Sequence, residues 1–314
     1  MQVFHGLPPQ PLSRPAALAF GNFDGVHVGH RALIAHLRAA ADRLGGPLLV
    51  LTFDPHPLAV LRPERTPPAI DTLAGRLAHL AALGVDACFV LNFDRALAAV
   101  PAAVFAHEWL CQRLCARAFA VGPDVHFGRD RAGGVALLEA AAAAVAGHVE
   151  RFGGVEHGGA RVSSSRVRRT IAAGDVVEAE GLLARPFCLH GTVVHGDARG
   201  RTLGFPTANL EVRGQVVPAP GIYAASAVVA GKSHAAAVSI GTRPTFDGSG
   251  LRIEAHLIDF EGDVYGMQLD LHFLARLRDE ARFADVAALT EQIRADVVRA
   301  RDVVAARRPR GLLP

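Results

Sequence analysis

Residues 21–30 read Gly-Asn-Phe-Asp-Gly-Val-His-Val-Gly-His, and this stretch decides how the first half of the chain is read. An apolar run, Ala16–Phe20, leads in as a strand, and a segment with helical spacing, Arg31–Leu44, leads out. His27 and His30 stand three residues apart and are neighbours on the first turn of that helix. A helix N-terminus offers unpaired N–H groups and the positive end of the helix dipole, a setting that suits phosphate. Glycines let the backbone approach closely, and two imidazoles add directed donors. The turn formed by Gly21, Asn22, Phe23, Asp24 and Gly25 therefore reads as part of a nucleoside triphosphate site. It is neither of the commoner phosphate loops: no Gly-Lys-Ser/Thr occurs, and the dinucleotide fingerprint lacks its spacing.

Working outward, short apolar runs alternate with longer helical patterns. Strands are expected at Ala16–Phe20, Leu48–Phe53, Ala87–Leu91 and Arg117–Val121, and helices at Arg31–Leu44, Asp71–Leu83, Ala102–Leu114 and Val135–Ala146. That rhythm implies an α/β unit with a parallel sheet, whose ligands lie beyond the carboxyl ends of the strands. The special segments fall there: 21–30 after the first strand, 54–57 after the second and 122–128 after the fourth.

A helical stretch, Ser164–Leu183, is split by Gly174-Asp175, and Arg185-Pro186 reads as a linker. Beyond it come runs separated by Gly/Pro turns: Phe187–His195, Tyr223–Val229, Ala235–Ile240, Leu251–Phe260 and Gln268–Phe273. A closing amphipathic helix, about Ala284–Ala306, carries a stripe of Val286, Leu289, Ile293 and Val297, read as packing. This half is expected to be a small antiparallel β-barrel with a C-terminal helix. The expected domains are 1–184 and 185–314.

Composition narrows the function classes. The formal net charge is +3, Lys232 is the sole lysine, and no basic run is interleaved with aromatics, so no nucleic-acid partner is expected. No uninterrupted apolar window reaches about eighteen residues and no signal-like N-terminus is seen, so a cytoplasmic protein without a membrane partner is expected. Cys88, Cys111, Cys115 and Cys188 lack zinc-like pairing and read as reduced thiols; Cys111 and Cys115 sit at i, i+4 of a helical stretch without nearby ligands.

Several segments bear chemistry. Phe53-Asp54-Pro55-His56-Pro57 is a proline-stiffened loop after a strand. Gly122–Gly128 offers Asp124 and Phe127 between glycines. Ser163 to Arg168 opens a helix, where Ser164, Ser165 and Arg168 would hold phosphates or simply cap and solvate it. Gly196, Gly200 and Gly204 make a phosphate-covering loop, and Thr207 and Asn209 share one face of a short strand suited to Mg²⁺ or phosphate. Glu254 stands in an apolar strand, as a working carboxylate inside the barrel or as an ordinary outward-facing residue.

The His-x-Gly-His element resembles the nucleotidyltransferase superfamily. The motifs at 21–30, 53–57, 163–168, 200–209, 239–246 and 254–266 resemble, in order, the bacterial bifunctional riboflavin kinase/FMN adenylyltransferases, often called FAD synthetases. The resemblance implies a Rossmann-like nucleotidyltransferase domain followed by a β-barrel kinase domain. In the barrel, Glu254 would be the base for phosphorylation of riboflavin to FMN by ATP, with Thr207 and Asn209 on Mg²⁺. In the first domain FMN would attack a second ATP to give FAD. There His27 and His30 would stabilise the developing phosphate charge, Ser164 and Arg168 would hold the triphosphate, and Phe53, Pro55, His56, Asp124 and Phe127 would face the flavin. Two departures stand out: the loop Asp124-Val-His-Phe-Gly128 loses one of the family's aromatics, and Ser165 replaces the usual threonine.

Overall fold

The structure is a computed structural model that describes residues 1–122, 124–196, 200, 203–243 and 250–307. Pro123, Asp197 to Arg199, Arg201 and Thr202, and the end of the 239–246 motif therefore lie outside the described residues. The chain divides into two compact units: Met1–Pro67 with Thr72–Ser163, and Pro68–Asp71 with Ser164–Pro314.

The first unit is built on six parallel strands: β1 (Gln2–His5), β2 (Ala16–Phe20), β3 (Leu48–Asp54), β4 (Ala87–Asn92), β5 (Ala116–Val121) and β6 (His148–Arg151), in the order β1-β4-β3-β2-β5-β6. Near-continuous apolar runs such as Leu48–Leu51 are what a parallel sheet covered on both faces requires. Side chains alternate between two cores: Leu18, Leu49 and Phe89 pack on one face, while Ala17, Val50 and Cys88 pack on the other. The order reverses beside β2, and such a switch point, at the carboxyl ends of β2 and β5, is where an open α/β sheet binds its ligand.

The helices of this unit are α1 (Val28–Leu44), α2 (Pro57–Leu61), α3 (Leu73–Ala82), α4 (Arg95–Ala98) and α5 (Val135–Ala143), with a π-helical segment at Val104–Arg113. Helix α1 begins three residues earlier than expected because His27 caps it, its Nδ1 accepting from the His30 N–H at 3.3 Å. Helix α3 begins at Leu73 rather than Asp71, since Thr72 is the cap and accepts from Gly75 N–H. Strands β1 and β6 escaped the sequence reading: both are short edge strands without a buried apolar run. Cys115 lies past the π-helical segment at φ +49°, so it does not share a helix face with Cys111. Burial pushes the Cys88 thiol up to about 12 and that of Cys111 to about 11. A two-strand ladder, β7 (Glu156–His157) with β8 (Ala160–Arg161), ends the unit.

In the second unit α6 (Ser164–Ala172) and α7 (Val176–Leu183) are separated by Gly174 at φ +81°, where an added Cβ would meet the Tyr223 hydroxyl at 2.6 Å. They precede a closed antiparallel barrel of β9 (Phe187–Val194), β10 (Ala208–Glu211), β11 (Gly221–Val229), β12 (Lys232–Arg243), β13 (Gly250–Leu257) and β14 (Gln268–Arg278), in the order β10-β13-β12-β11-β14-β9. Most strands run further than the apolar runs suggested, because hydrogen-bonded edges such as Arg276 and Arg278 still pair with β11. Packing thus groups α6 and α7 with the barrel unit.

Helix α8 (Val286–Ala306) lies on the outside of the barrel, with Ala300, Val297 and Val303 against Ala224, Ile222 and Ala237. The expected stripe is corrected at its start: Asp285 caps the helix, and Val286 on its first turn is 63% exposed. From there the expected Leu289, Ile293 and Val297 are half-buried on the packed face, which Asp296, Ala300 and Val304 continue as buried residues. Among the described residues no helix is long and apolar enough to cross a membrane.

Candidate active sites

In the first unit the chain leaves β2 through Gly21 at φ +156° and passes Phe23, Gly25 and Val26, all at positive φ. Gly25 takes such a conformation freely, but Phe23 and Val26 are strained unless their surroundings hold them, and both are fully buried anchors. Asp24 and His27 are buried as well, at 7% and 6% exposure. The His27 and His30 rings stack at 3.7 Å between centroids, and Phe23 tilts against His30. Gly29 permits this, since an added Cβ would come within 3.1 Å of the His27 ring. Burial, and then the neighbouring charge of His27, holds the His30 pKa well below the usual 6.5. Its Nδ1 is buried with no hydrogen-bond partner among the described residues, an acceptor or donor aimed at something else.

The turn is tied to its neighbours by a residue the sequence reading did not single out. Arg76 of α3, itself buried, donates to the Asn22 carbonyl at 2.6 Å and to Thr52 Oγ1 at 3.4 Å, and lies 3.7 Å from Asp54 Oδ1. Thr52 also donates to the Asn22 carbonyl. The Asn22 amide meets His56 Nε2 at 3.1 Å, while His56 Nδ1 caps α2 by accepting from Leu58 N–H. The loops after β2 and β3 are therefore joined, with Pro55 exposed behind a cis Asp54–Pro55 bond.

The loop after β5 divides its two expected flavin-facing residues between core and surface. Phe127 is buried and packs edge-on against Phe20 and tilted against Phe105, so its ring belongs to the core under the loop. Phe53 stands partly open and meets Phe93 edge-on. Asp124 is exposed and accepts from Arg161 at 3.0 Å. Ser164, Ser165 and Arg168 lie on α6 of the second unit, and Arg168 Nε donates to the Pro68 carbonyl.

In the second unit Glu254 sits on β13 opposite Asn209 of β10. The alternation Ile253, Ala255 and Leu257 into the barrel turns Arg252, Glu254 and His256 outward, so Glu254 is not an interior carboxylate. That outer face is nonetheless roofed by α8 and the segment before it, leaving a cavity of about 320 Å³ lined by Glu254, Thr207, Arg252, Phe283, Leu289 and Ile293 among others. Thr207 donates to Glu254 Oε1 at 3.2 Å and Arg252 to the same oxygen at 2.6 Å. The roof is bolted down by Arg278 and Asp296, whose charges meet at 2.7 Å with Asp296 almost wholly buried, and Gln292 adds a bond to the same carboxylate. Neither Arg252 nor this clamp was singled out from sequence.

The loop glycines have steric reasons. A Cβ on Gly196 would fall 2.2 Å from the Asn209 amide, one on Gly200 would fall 2.3 Å from the Phe205 carbonyl, and Gly204 holds φ +83°. The cradle that Gly196 leaves beside Asn209, with the Thr207 hydroxyl near Glu254, presents hard oxygen donors of the kind Mg²⁺ takes.

A family model described as FAD synthetase matches residues 10–166, and one described as riboflavin kinase matches residues 183–304. A curated relative from Pseudomonas fluorescens, named bifunctional riboflavin kinase/FMN adenylyltransferase, is 42% identical over 97% of this chain and 98% of its own length. The chain belongs to that bifunctional family. Family members of the same name from Escherichia coli K12 and Bacillus subtilis are 38% and 34% identical over 93% and 90% of the chain. A solved structure with TM-score 0.83 and 32% identity, covering 94% of this chain and 95% of its own, is titled a macrolide-efflux protein from Streptococcus pneumoniae. Efflux is that structure's own description, whereas the family models and curated relatives name flavin chemistry.

Proposed function

We propose that the chain makes FAD in two consecutive steps, the barrel unit phosphorylating riboflavin to FMN and the parallel-sheet unit adenylylating FMN with release of pyrophosphate. The observation that carries the first step is the roofed cavity with Glu254 at its wall. Glu254 takes the proton of the terminal ribityl hydroxyl, whose oxygen attacks the γ-phosphorus of ATP; ADP leaves. Thr207 and Arg252, both bonded to Oε1, hold the carboxylate in place for that transfer. Thr207 and Asn209 would hold Mg²⁺, which would neutralise phosphate charge there. Gly196, Gly200 and Gly204 belong to the segment that would cover the phosphates.

For the second step the FMN phosphate attacks the α-phosphorus of ATP, and no side chain need act as base because a phosphate dianion is already nucleophilic. The buried, unpartnered Nδ1 of His30 supports a role on the polyphosphate, and the Gly21–Gly25 turn brings the backbone close to it. Negative phosphate beside the histidine pair favours their charged form, opposing the burial that keeps His30 neutral. Phe53, Pro55, His56 and Asp124 are the flavin-facing groups in this reading, with Phe127 supporting the loop from the core. Ser164, Ser165 and Arg168 keep the triphosphate role on the strength of their motif, and the functional modules divide at 184/185, near the start of the riboflavin kinase match at 183. The reactions need only small molecules as partners, in a cytoplasmic setting where ATP is abundant.

The test is a chromatographic time course with riboflavin, ATP and Mg²⁺. FMN rising first and then passing into FAD is expected. FMN without FAD removes the adenylyltransferase assignment, and neither product removes both.

A further inference from the structure

A second chemically distinct cluster lies on the outer face of β9 and β14. Their register sets His190 opposite Asp270 and Cys188 opposite His272, so four metal-ligating side chains occupy successive rungs of one face, with the Leu189–Leu271 rung between them facing inward. All four point away from the barrel interior, which is filled by Phe187, Leu189, Leu271 and Phe273. Cys188 Sγ lies 3.9 Å from His190 Nδ1 and 3.8 Å from His272 Nε2. His190 Nδ1 meets Asp270 Oδ1 at 2.7 Å. The ligand atoms of Cys188, His190 and Asp270 all fall within 4.8 Å of one another.

We propose that Cys188, His190 and Asp270, with His272 beside them, form a binding site for a thiophilic divalent cation of the zinc type. Zn–S and Zn–N bonds of about 2.3 and 2.0 Å give tetrahedral edges on the order of 3.3–3.6 Å. The sulfur–nitrogen separations lie within a few tenths of an ångström of that, and the His190–Asp270 pair opens slightly to admit the ion. A thiolate and a carboxylate together supply two negative charges, matching a divalent cation in a partly buried place. Sulfur and imidazole donors select zinc or cobalt over magnesium, which separates this cluster from the all-oxygen pair Thr207 and Asn209.

A second observation supports ligation over a plain polar cluster. The far ring nitrogen of His190, Nε2, lies 3.5 Å from Asp71 Oδ1, and Asp71 is buried and held at its other oxygen by Arg185 at 3.2 Å. A carboxylate that closes on the second nitrogen from this distance would fix the tautomer and orientation of a metal-bound histidine, turning Nδ1 towards the cation. Gln215 adds to the frame by accepting from the His190 backbone N–H. The cation would join β9 to β14 and, through Asp71, hold the segment Pro68–Asp71 that belongs to this unit.

The experiment is a Co²⁺ titration of the metal-stripped full chain without nucleotide. The proposal expects one equivalent bound at micromolar concentration, with visible bands of tetrahedral cobalt and a near-ultraviolet thiolate-to-cobalt band, both displaced by Zn²⁺. Cys188→Ser removes the thiolate band, Cys115→Ser leaves it, and Asp270→Asn or His190→Gln weakens affinity by at least about tenfold. No binding, a spectrum without the thiolate band, or a band that survives Cys188→Ser overturns it. Should Cys188→Ser fail to fold, as judged by circular dichroism, Asp270→Asn decides: unchanged cobalt affinity overturns the site.

Discussion

The two units place their candidate reactive groups by different means. In the parallel-sheet unit the site is made by the backbone: a strand ends, the chain turns through left-handed residues, and a helix starts on His27. In the barrel unit the site is made by alternation: every second residue of β13 faces outward, and α8 converts that outer face into a wall of a cavity. A backbone-built site depends on what holds its turn, here Arg76 and Thr52. A face-built site depends on what holds its roof, here Arg278 and Asp296. The support residues, more than the reacting ones, tell the two designs apart.

The largest separation between the units should come from Glu254→Gln, which keeps the bonds from Thr207 and Arg252 nearly intact in shape but removes the proton acceptor. Riboflavin phosphorylation should fall by about 10²–10⁴-fold while FMN adenylylation is unchanged, measured by initial rates with each flavin. Asp296→Ala should cost about 3–5 kcal/mol of stability, because it strands the Arg278 guanidinium under α8; denaturant unfolding followed by far-ultraviolet circular dichroism checks this. A loss within 0.5 kcal/mol would mean the roof is held by apolar packing alone, and would blur the contrast. Arg76→Ala should lower the adenylylation rate by about 10²-fold without touching phosphorylation, since a misplaced turn misaligns the phosphates.

The smallest effect is one of pH. His30 is neutral when folded because its pKa is lowered, while in the unfolded chain it takes a proton near 6.5. Below about pH 6.5 the unfolded chain therefore binds more protons, and stability is lost as pH falls through that range. His30→Gln should flatten this acid loss in a series of unfolding curves, and an unchanged slope would place the acid sensitivity elsewhere.

Much of the first site was legible because its cause is local. A strand, a glycine turn and two histidines at helical spacing are all written within fifteen consecutive residues, and the structure keeps them together. What escaped has non-local causes. Arg76 reads as any helical arginine until the fold brings it to a carbonyl 54 positions away. Strands β1 and β6 carry too few buried side chains to show a pattern. Glu254 was visible as an odd carboxylate in an alternating strand, but its surroundings depend on a helix that starts more than thirty residues later. Phe127 looked like a free aromatic beside glycines, yet its partners Phe20 and Phe105 come from elsewhere in the sheet unit. The Cys188 cluster needed the register between β9 and β14 before its four side chains could be set side by side.

The most direct test of two separate sites is a crossed product assay on His30→Ala and Glu254→Gln, each given riboflavin in one reaction and FMN in another, with ATP and Mg²⁺. His30→Ala should make FMN from riboflavin and no FAD from either flavin, while Glu254→Gln should make FAD from FMN at the usual rate and only traces of product from riboflavin. A folded variant that loses both reactions from its single substitution would contradict the assignment of one reaction to each unit.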